Sequence, residues 1–276
     1  MCRFAGYIGR PRSPADLLYS GDHSLEVQSY RPRELLHGHV NVDGFGVSWY
    51  PGDLPVRITD PRPPWHDPDL PALLRSFQAS PILASVRNTT PGIPVDRSGL
   101  SPLVHGRWTF VLNGFIKSFR TGAMRELHAL LPDDLYAELS GVSDTEALFL
   151  LLVNYARQEA SLEDAIRRLT TEVLRVCRDR ELDLQLNLLT SDGVSLVATR
   201  MGSAPLQNSL YLKGEPWDGT KARDVEKLQG AKGPGVWLAS EPLDDPGAWV
   251  PVPESSLVVA TLDGSVHLAS LDPRSD

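Results

Sequence analysis

Cysteine is nearly missing from this sequence, with only Cys2 and Cys177 in 276 residues. Two thiols make one bridge at most, so the disulfide framework that holds small secreted domains together is excluded, and each cysteine is read alone. Long apolar runs are missing too. No stretch reaches the roughly 18 residues that a membrane span needs, and the opening MCRFAGYIGRPRS has no extended apolar core after its charges. Positive charge is scarce: Lys+Arg 27 against Asp+Glu 35 gives a net charge of -8, with no dense basic run beside aromatics. A phosphate-backbone partner would need that footprint, so no nucleic-acid partner and no membrane partner is expected, and the chain reads as a cytoplasmic protein.

What is present is enough apolar residue, 41%, for one sizeable core, arranged in periods that change along the chain. Arg3–Gly9 (RFAGYIG) reads as a strand starting directly after Cys2, which puts residue 2 at a strand end rather than in a fraying tail. A short helix over Ala15–Tyr19 follows, then a loop rich in Gly and His, a strand over 45–50, and a Pro-rich surface excursion over 51–68. A helix over 70–77, an apolar strand over Ile82–Val86 and a strand over 108–112 ending in Asn113-Gly114 come next. SDTEALFLLLVNYARQ and SLEDAIRRLTTEVLRVCRDR then carry apolar residues at helical spacing behind Ser/Asp N-cap candidates, with Glu placed for a capping box. Strands return over 184–190 and 194–200, joined by an Asp192-Gly193 turn that signals a hairpin, and again over 236–240, 257–261 and 266–269. Strands, then helices, then strands predict a layered α+β fold, two sheets face to face with helices outside, as one domain over residues 2–276.

Four places could carry chemistry, and each has a plainer reading beside it. Removal of Met1 would give Cys2 a free α-amine with a pKa near 7.7–8.0 beside a thiol near 8.5, so that one residue supplies nucleophile and base. The plainer reading is a small residue that merely permits Met removal. Arg87, at the end of the strand in ILASVRNTTPG, offers a planar fork of donors to a carboxylate, or else serves a surface salt bridge. Asn113-Gly114 offers a side-chain amide and a backbone N–H that a substrate can approach, which makes an oxyanion hole, or else it is a hairpin turn. Asp144 opens a helix, where Ser143 or Asp144 could simply cap.

In this order and spacing, Cys2, Arg87, Asn113-Gly114 and Asp144 resemble the class II glutamine amidotransferases, the cysteine members of the N-terminal-nucleophile hydrolases. The resemblance implies a four-layer αββα sandwich and a role for each position. Cys2 would be nucleophile and base, and Asn113 with Gly114 the oxyanion hole. Arg87 would hold the substrate α-carboxylate with Thr90 in the same pocket, and Asp144 would take the α-ammonium. MCRFAGYIG, NVDGFGVSWYPG, LNLLTSDGVSLVATR and VWLASEPLDDPGAWVPVP look like one branch of this family, the stand-alone hydrolases of γ-glutamyl-hercynylcysteine sulfoxide in ergothioneine biosynthesis. Such a domain would fill nearly all 276 residues and leave no room for an ammonia-accepting domain. Two positions depart from the common pattern: Leu112 stands where many members have His, and Asn88 where many have Trp.

The substrate expected from this resemblance is a small γ-glutamyl molecule. Another γ-glutamyl peptide or glutathione hydrolase, an ammonia-donating subunit and a non-catalytic γ-glutamyl-binding module are the alternatives. His37 and His39 alternate in a loop without a third ligand at a metal spacing, so no metal and no other cofactor is expected. Cys177 shares a helical face with Leu162, Ile166, Leu169, Val173 and Val176 and reads as a core thiol. Whether the chain forms a homo-oligomer is not written in the sequence.

Overall fold

RFAGYIG is buried along its whole length, on both faces, because it lies inside one of two stacked sheets. The computed structural model describes residues 2–36, 38, 40–89, 99–203, 207–215 and 233–271. In chain order these form β1 (Arg3–Gly9), α1 (Ala15–Tyr19), α2 (Leu25–Tyr30), β2 (Phe45–Trp49), β3 (Val56–Asp60), α3 (Leu70–Arg75), β4 (Ile82–Val86), β5 (Leu103–His105) and β6 (Trp108–Ile116). Three short helices follow, α4 (Phe119–Gly122), α5 (Met124–His128) and α6 (Asp133–Tyr136), and then α7 (Asp144–Ala156) and α8 (Leu162–Asp179). The last part is β7 (Leu184–Ser191), β8 (Ser195–Arg200), β9 (Tyr211–Glu215), β10 (Gly235–Ala239), β11 (Val250–Pro251), β12 (Ser256–Thr261) and β13 (Val266–Ser270).

Among the described residues one antiparallel sheet runs β11-β9-β10-β1-β4-β2-β3 and the other β13-β12-β8-β7-β6-β5. The period of two decides what each face meets. From β1, Phe4 and Ile8 point into the layer between the sheets with Leu83, Val111, Leu189, Leu196 and Leu238, whereas Ala5 and Tyr7 point outward to the layer of α1–α3. The outer face of the second sheet packs on α7 and α8 through Phe110, Leu112, Leu184, Leu186 and Leu188. The four layers are therefore helix, sheet, sheet, helix, the αββα sandwich that the resemblance implied. No helix among the described residues is long and apolar enough to cross a membrane.

Three expectations need correction. The Pro-rich stretch contains β3, which pairs with β2 from Phe45↔Asp60 to Trp49↔Val56; it is a half-exposed edge strand, so neither its composition nor its alternation advertises it. The strand expected to stop at Leu112 runs on to Ile116, with Asn113↔Asn187 and Gly114↔Leu186 in register on β7. Asn113-Gly114 is therefore strand interior, and the hairpin-turn reading falls. The capping box of α7 is also rearranged: Ser143 Oγ accepts from Glu146 N at 3.2 Å, but the Glu146 carboxylate accepts from Ser140 N at 2.9 Å and Gly141 N at 2.8 Å instead of returning to Ser143. The hairpin at Asp192-Gly193 forms as expected, with Asp192 Oδ1 accepting from Ser195 N at 2.8 Å.

Candidate active site

Strand register brings the first candidate residues together. β1 pairs with β4 at Arg3↔Val86 and Phe4↔Ser85, so one step further along the same register Cys2 lies beside Arg87. Arg87 is itself held in line because its N–H donates to Gly44 O at 2.8 Å and its carbonyl accepts from Asp43 N at 3.0 Å, extending the β2–β4 ladder. On the other side β1 pairs with β10 at Ala5↔Ala239, and the ladder continues past the strand end, with Ser240 N donating to Phe4 O at 3.0 Å. Arg3 thereby meets Glu241.

The second sheet supplies the next part. Val111 and Asn113 share the inter-sheet face of β6, so the Asn113 side chain reaches across to β1. Oriented so that both ends are satisfied, its Nδ2 donates to Cys2 O at 2.7 Å and its Oδ1 accepts from Arg3 Nη1 at 3.1 Å. Its backbone carbonyl accepts from Asn208 Nδ2 at 2.9 Å. Gly114 is required for a reason other than substrate approach: a Cβ there would sit 1.9 Å from Gln185 O on the neighbouring strand. Ile116 N donates at 2.9 Å to Asp144 Oδ2, off the edge of β6 that faces away from β7. Because backbone groups two residues apart point the same way in a strand, the Gly114 N–H lies on that same edge.

α7 supplies Asp144. Ser143 takes the cap, which frees Asp144 from it: Oδ2 accepts from Ile116 N, and Oδ1 accepts from Thr145 N at 2.8 Å. The residue is half-buried, but its carboxyl is surrounded by protein atoms; burial pushes its pKa up, against the downward pull of the N–H donors from Ile116 and Thr145.

These parts open into one pocket of about 600 Å³, part of it open to solvent, whose walls include Cys2, Arg87, Gly114 and Asp144. Asn113 stands behind the wall with no exposed surface, touching Cys2 from the rear. The Arg87 guanidinium packs so closely over Gly99 that a Cβ there would approach Nη2 to 2.6 Å and oblige the fork to shift. Leu112 and Asn88, the two departures from the common pattern, both line this pocket. Thr90, His37 and His39 lie outside the described residues. Among the described residues no group of His, Cys, Asp and Glu could hold a metal. Cys177 is far from such chemistry, buried in the helix-side core with its thiol pushed up to about 11 by burial.

No local pattern in the sequence announces what stands behind Cys2. Arg3 and Glu241 are fully buried and joined through Nε and Oε1 at 2.5 Å. Glu241 also accepts from His23 Nε2 at 2.7 Å, Arg33 N at 2.9 Å and Glu34 N at 3.0 Å. Burial opposes ionisation of Glu241, but the His23 hydrogen bond, the Arg3 charge and the two backbone donors outweigh it and hold the carboxyl down at about 2. The sequence signals the need but not the partner: an arginine inside an otherwise apolar strand needs a buried partner.

Comparison with known proteins gives the family and the fold. Residues 19–275 match the family described as class-II glutamine amidotransferases. A γ-glutamyl-hercynylcysteine sulfoxide hydrolase of Mycobacterium tuberculosis is 30% identical over 272 residues, 99% of this chain and 97% of that protein. The enzyme of the same name from Mycolicibacterium smegmatis is 29% identical over 94% of this chain and 95% of its own. A solved glutamine aminotransferase class-II domain protein from Silicibacter pomeroyi superposes with a TM-score of 0.66 at 20% identity, over 99% of this chain and all of that one.

Proposed function

Because this chain belongs to the class II glutamine amidotransferases, we propose that it hydrolyses a γ-glutamyl amide with Cys2 as nucleophile after removal of Met1. The observation that carries this reading is the single pocket shared by Cys2, Arg87, Gly114 and Asp144, residues from both sheets and the start of α7. In the proposed reaction the Cys2 α-amine takes the thiol proton and Sγ attacks the γ-carbonyl carbon. The oxygen that becomes negative is met by the Gly114 N–H and by Asn113 Nδ2, which has a second N–H besides the one given to Cys2 O. Collapse breaks the C–N bond, and the leaving amine takes the proton held by the Cys2 α-ammonium. Water then attacks the γ-glutamyl thioester, gives a proton to the amine, and releases glutamate with the thiol restored.

The glutamyl end of such a substrate carries one carboxylate and one ammonium, and the pocket offers Arg87 and Asp144 to them, with Thr90 assigned to the carboxylate side. Charge-assisted hydrogen bonds are worth roughly 1.5–3 kcal/mol, so Arg87→Lys and Asp144→Asn are each expected to lower kcat/KM about ten- to a hundredfold or more. Asp144 also sets a pH signature. Only its ionised form attracts the ammonium, and its pKa is raised, so kcat/KM is expected to fall with falling pH through a point above the ordinary carboxylate range. Asp144→Asn removes that acid limb. A variant with wild-type kcat/KM, or an unchanged acid limb in Asp144→Asn, assigns the residue to structure instead.

For the leaving side we propose the cysteine-derived amine of γ-glutamyl-hercynylcysteine sulfoxide, the substrate in the names of the mycobacterial relatives. Ammonia leaving from glutamine offers no surface to bind, whereas this amine carries a trimethylated histidine whose remote binding energy can orient the amide. Glutamate release measured side by side is expected to give a kcat/KM for that substrate about two orders of magnitude above those for glutamine and glutathione, as about 3 kcal/mol expressed in the transition state would produce. Equal rates would reduce the reading to a general γ-glutamyl hydrolase, and a preference for glutamine would make the chain an ammonia donor.

A further inference from the structure

We propose that Arg3 is a positioning residue: its buried guanidinium fixes which end of the Asn113 amide faces the nucleophile. The proposal rests on the function proposed above and concerns a residue that the reaction itself does not touch. The oxygen and nitrogen ends of an asparagine are almost the same size, so packing alone cannot choose between them; only the polarity of the neighbours can. Here both neighbours are single-minded. Arg3 has donors only, and its Nη1 lies 3.1 Å from one end of the Asn113 amide; Cys2 O accepts only, and lies 2.7 Å from the other. A reversed amide would aim N–H at a guanidinium and oxygen at both the Cys2 carbonyl and the developing oxyanion.

The guanidinium is held for this task more than for its own satisfaction. Nε is tied to Glu241 at 2.5 Å, and Nη1 also reaches Cys2 O at 3.3 Å, while Nη2 is buried without a partner among the described residues. Glu241 is in turn fixed by His23 and by the backbone N–H groups of Arg33 and Glu34. One charged side chain therefore contacts both the nucleophile residue and the oxyanion residue from behind, anchored to a carboxylate that stays ionised.

The test is a double-mutant cycle on the best γ-glutamyl substrate, with Arg3→Lys, Asn113→Ala and the double variant, and with active sites counted by labelling with an electrophilic glutamine analogue. Lysine keeps the charge beside Glu241 but cannot hold Nε and Nη1 contacts at once. Arg3→Lys is expected to lower kcat per active site about 10–100-fold with little change in KM, and to cause no further loss when Asn113 is already alanine. Should Arg3→Lys fail to fold, Glu241→Gln serves in the same cycle, because it leaves an acceptor for Nε while loosening the anchor; a smaller kcat loss, absent in the Asn113→Ala background, is expected. Unchanged kcat, a loss confined to KM, or losses that multiply independently of Asn113 would overturn the proposal while leaving the hydrolase reading intact. A wild-type protein that releases no glutamate from any γ-glutamyl compound overturns both.

Discussion

Cys2→Ala is expected to abolish glutamate release, by roughly four orders of magnitude or more, since losing the nucleophile of such a site removes nearly all of its chemistry at once. The variant should still fold and bind. Cys2 lies at the end of β1, outside the three buried clusters, and the strand is held by pairing on both sides from Arg3 onward. Cys177→Ser is the matched control. That thiol sits in the helix-side core with its pKa pushed up to about 11 and lines no part of the pocket, so its loss should cost stability and leave kcat unaffected. Steady-state glutamate release and thermal melting of the two variants separate the cases. Comparable activity in wild type and Cys2→Ala would sink the mechanism, and a mature protein that retains Met1 would count against it because the amine base would be missing.

Asn113→Ala is expected to lower kcat about 10²–10³-fold, the usual cost of one oxyanion donor, with little effect on substrate affinity. The separation follows from the proposed chemistry: the amide N–H meets full negative charge only as the carbonyl oxygen becomes an oxyanion. Alanine also withdraws the acceptor from Arg3, and Asn113→Asp distinguishes the two effects: it keeps an acceptor for Nη1 but replaces the donor by a second oxygen. If donation is what matters, aspartate should be at least as damaging as alanine. If only the contact with Arg3 matters, aspartate should restore most of the activity. A loss confined to KM in both variants would argue for a binding role.

The αββα layering was legible because its signals are long: the buried strand at the start, two helical periods in the middle and a run of strands after them. Short and edge elements were not. β3 is half-exposed among prolines, and β5 has three residues, too few for any period. At the site, the sequence named the pocket residues but could not rank competing uses of one residue. The choice between Ser143 and Asp144 as cap was settled only by geometry, with Ser143 accepting from Glu146 N and Asp144 turned to Ile116. Asn113-Gly114 looks identical in a turn and in a strand; the neighbouring strand β7 decides, through the Gln185 carbonyl that excludes any side chain at position 114. Glu241 was hidden by distance, since no local pattern links it to Arg3.

That distance sets an order of events in synthesis. Cys2, Arg87, Asn113, Gly114 and Asp144 all lie at or before position 144 of 276, but β1 lies between β4 and β10, and the Arg3–Glu241 pair spans 238 positions. At about 5–20 residues per second, a ribosome that has already released Asp144 needs on the order of 5–20 s more to reach Glu241. For that interval a nascent chain carries every proposed pocket residue while its first strand has one side open. An aminopeptidase acting in that interval would meet an unfinished sheet rather than a sealed one, and a transcript truncated between codons 145 and 241 would encode every proposed pocket residue but not the clamp behind Cys2.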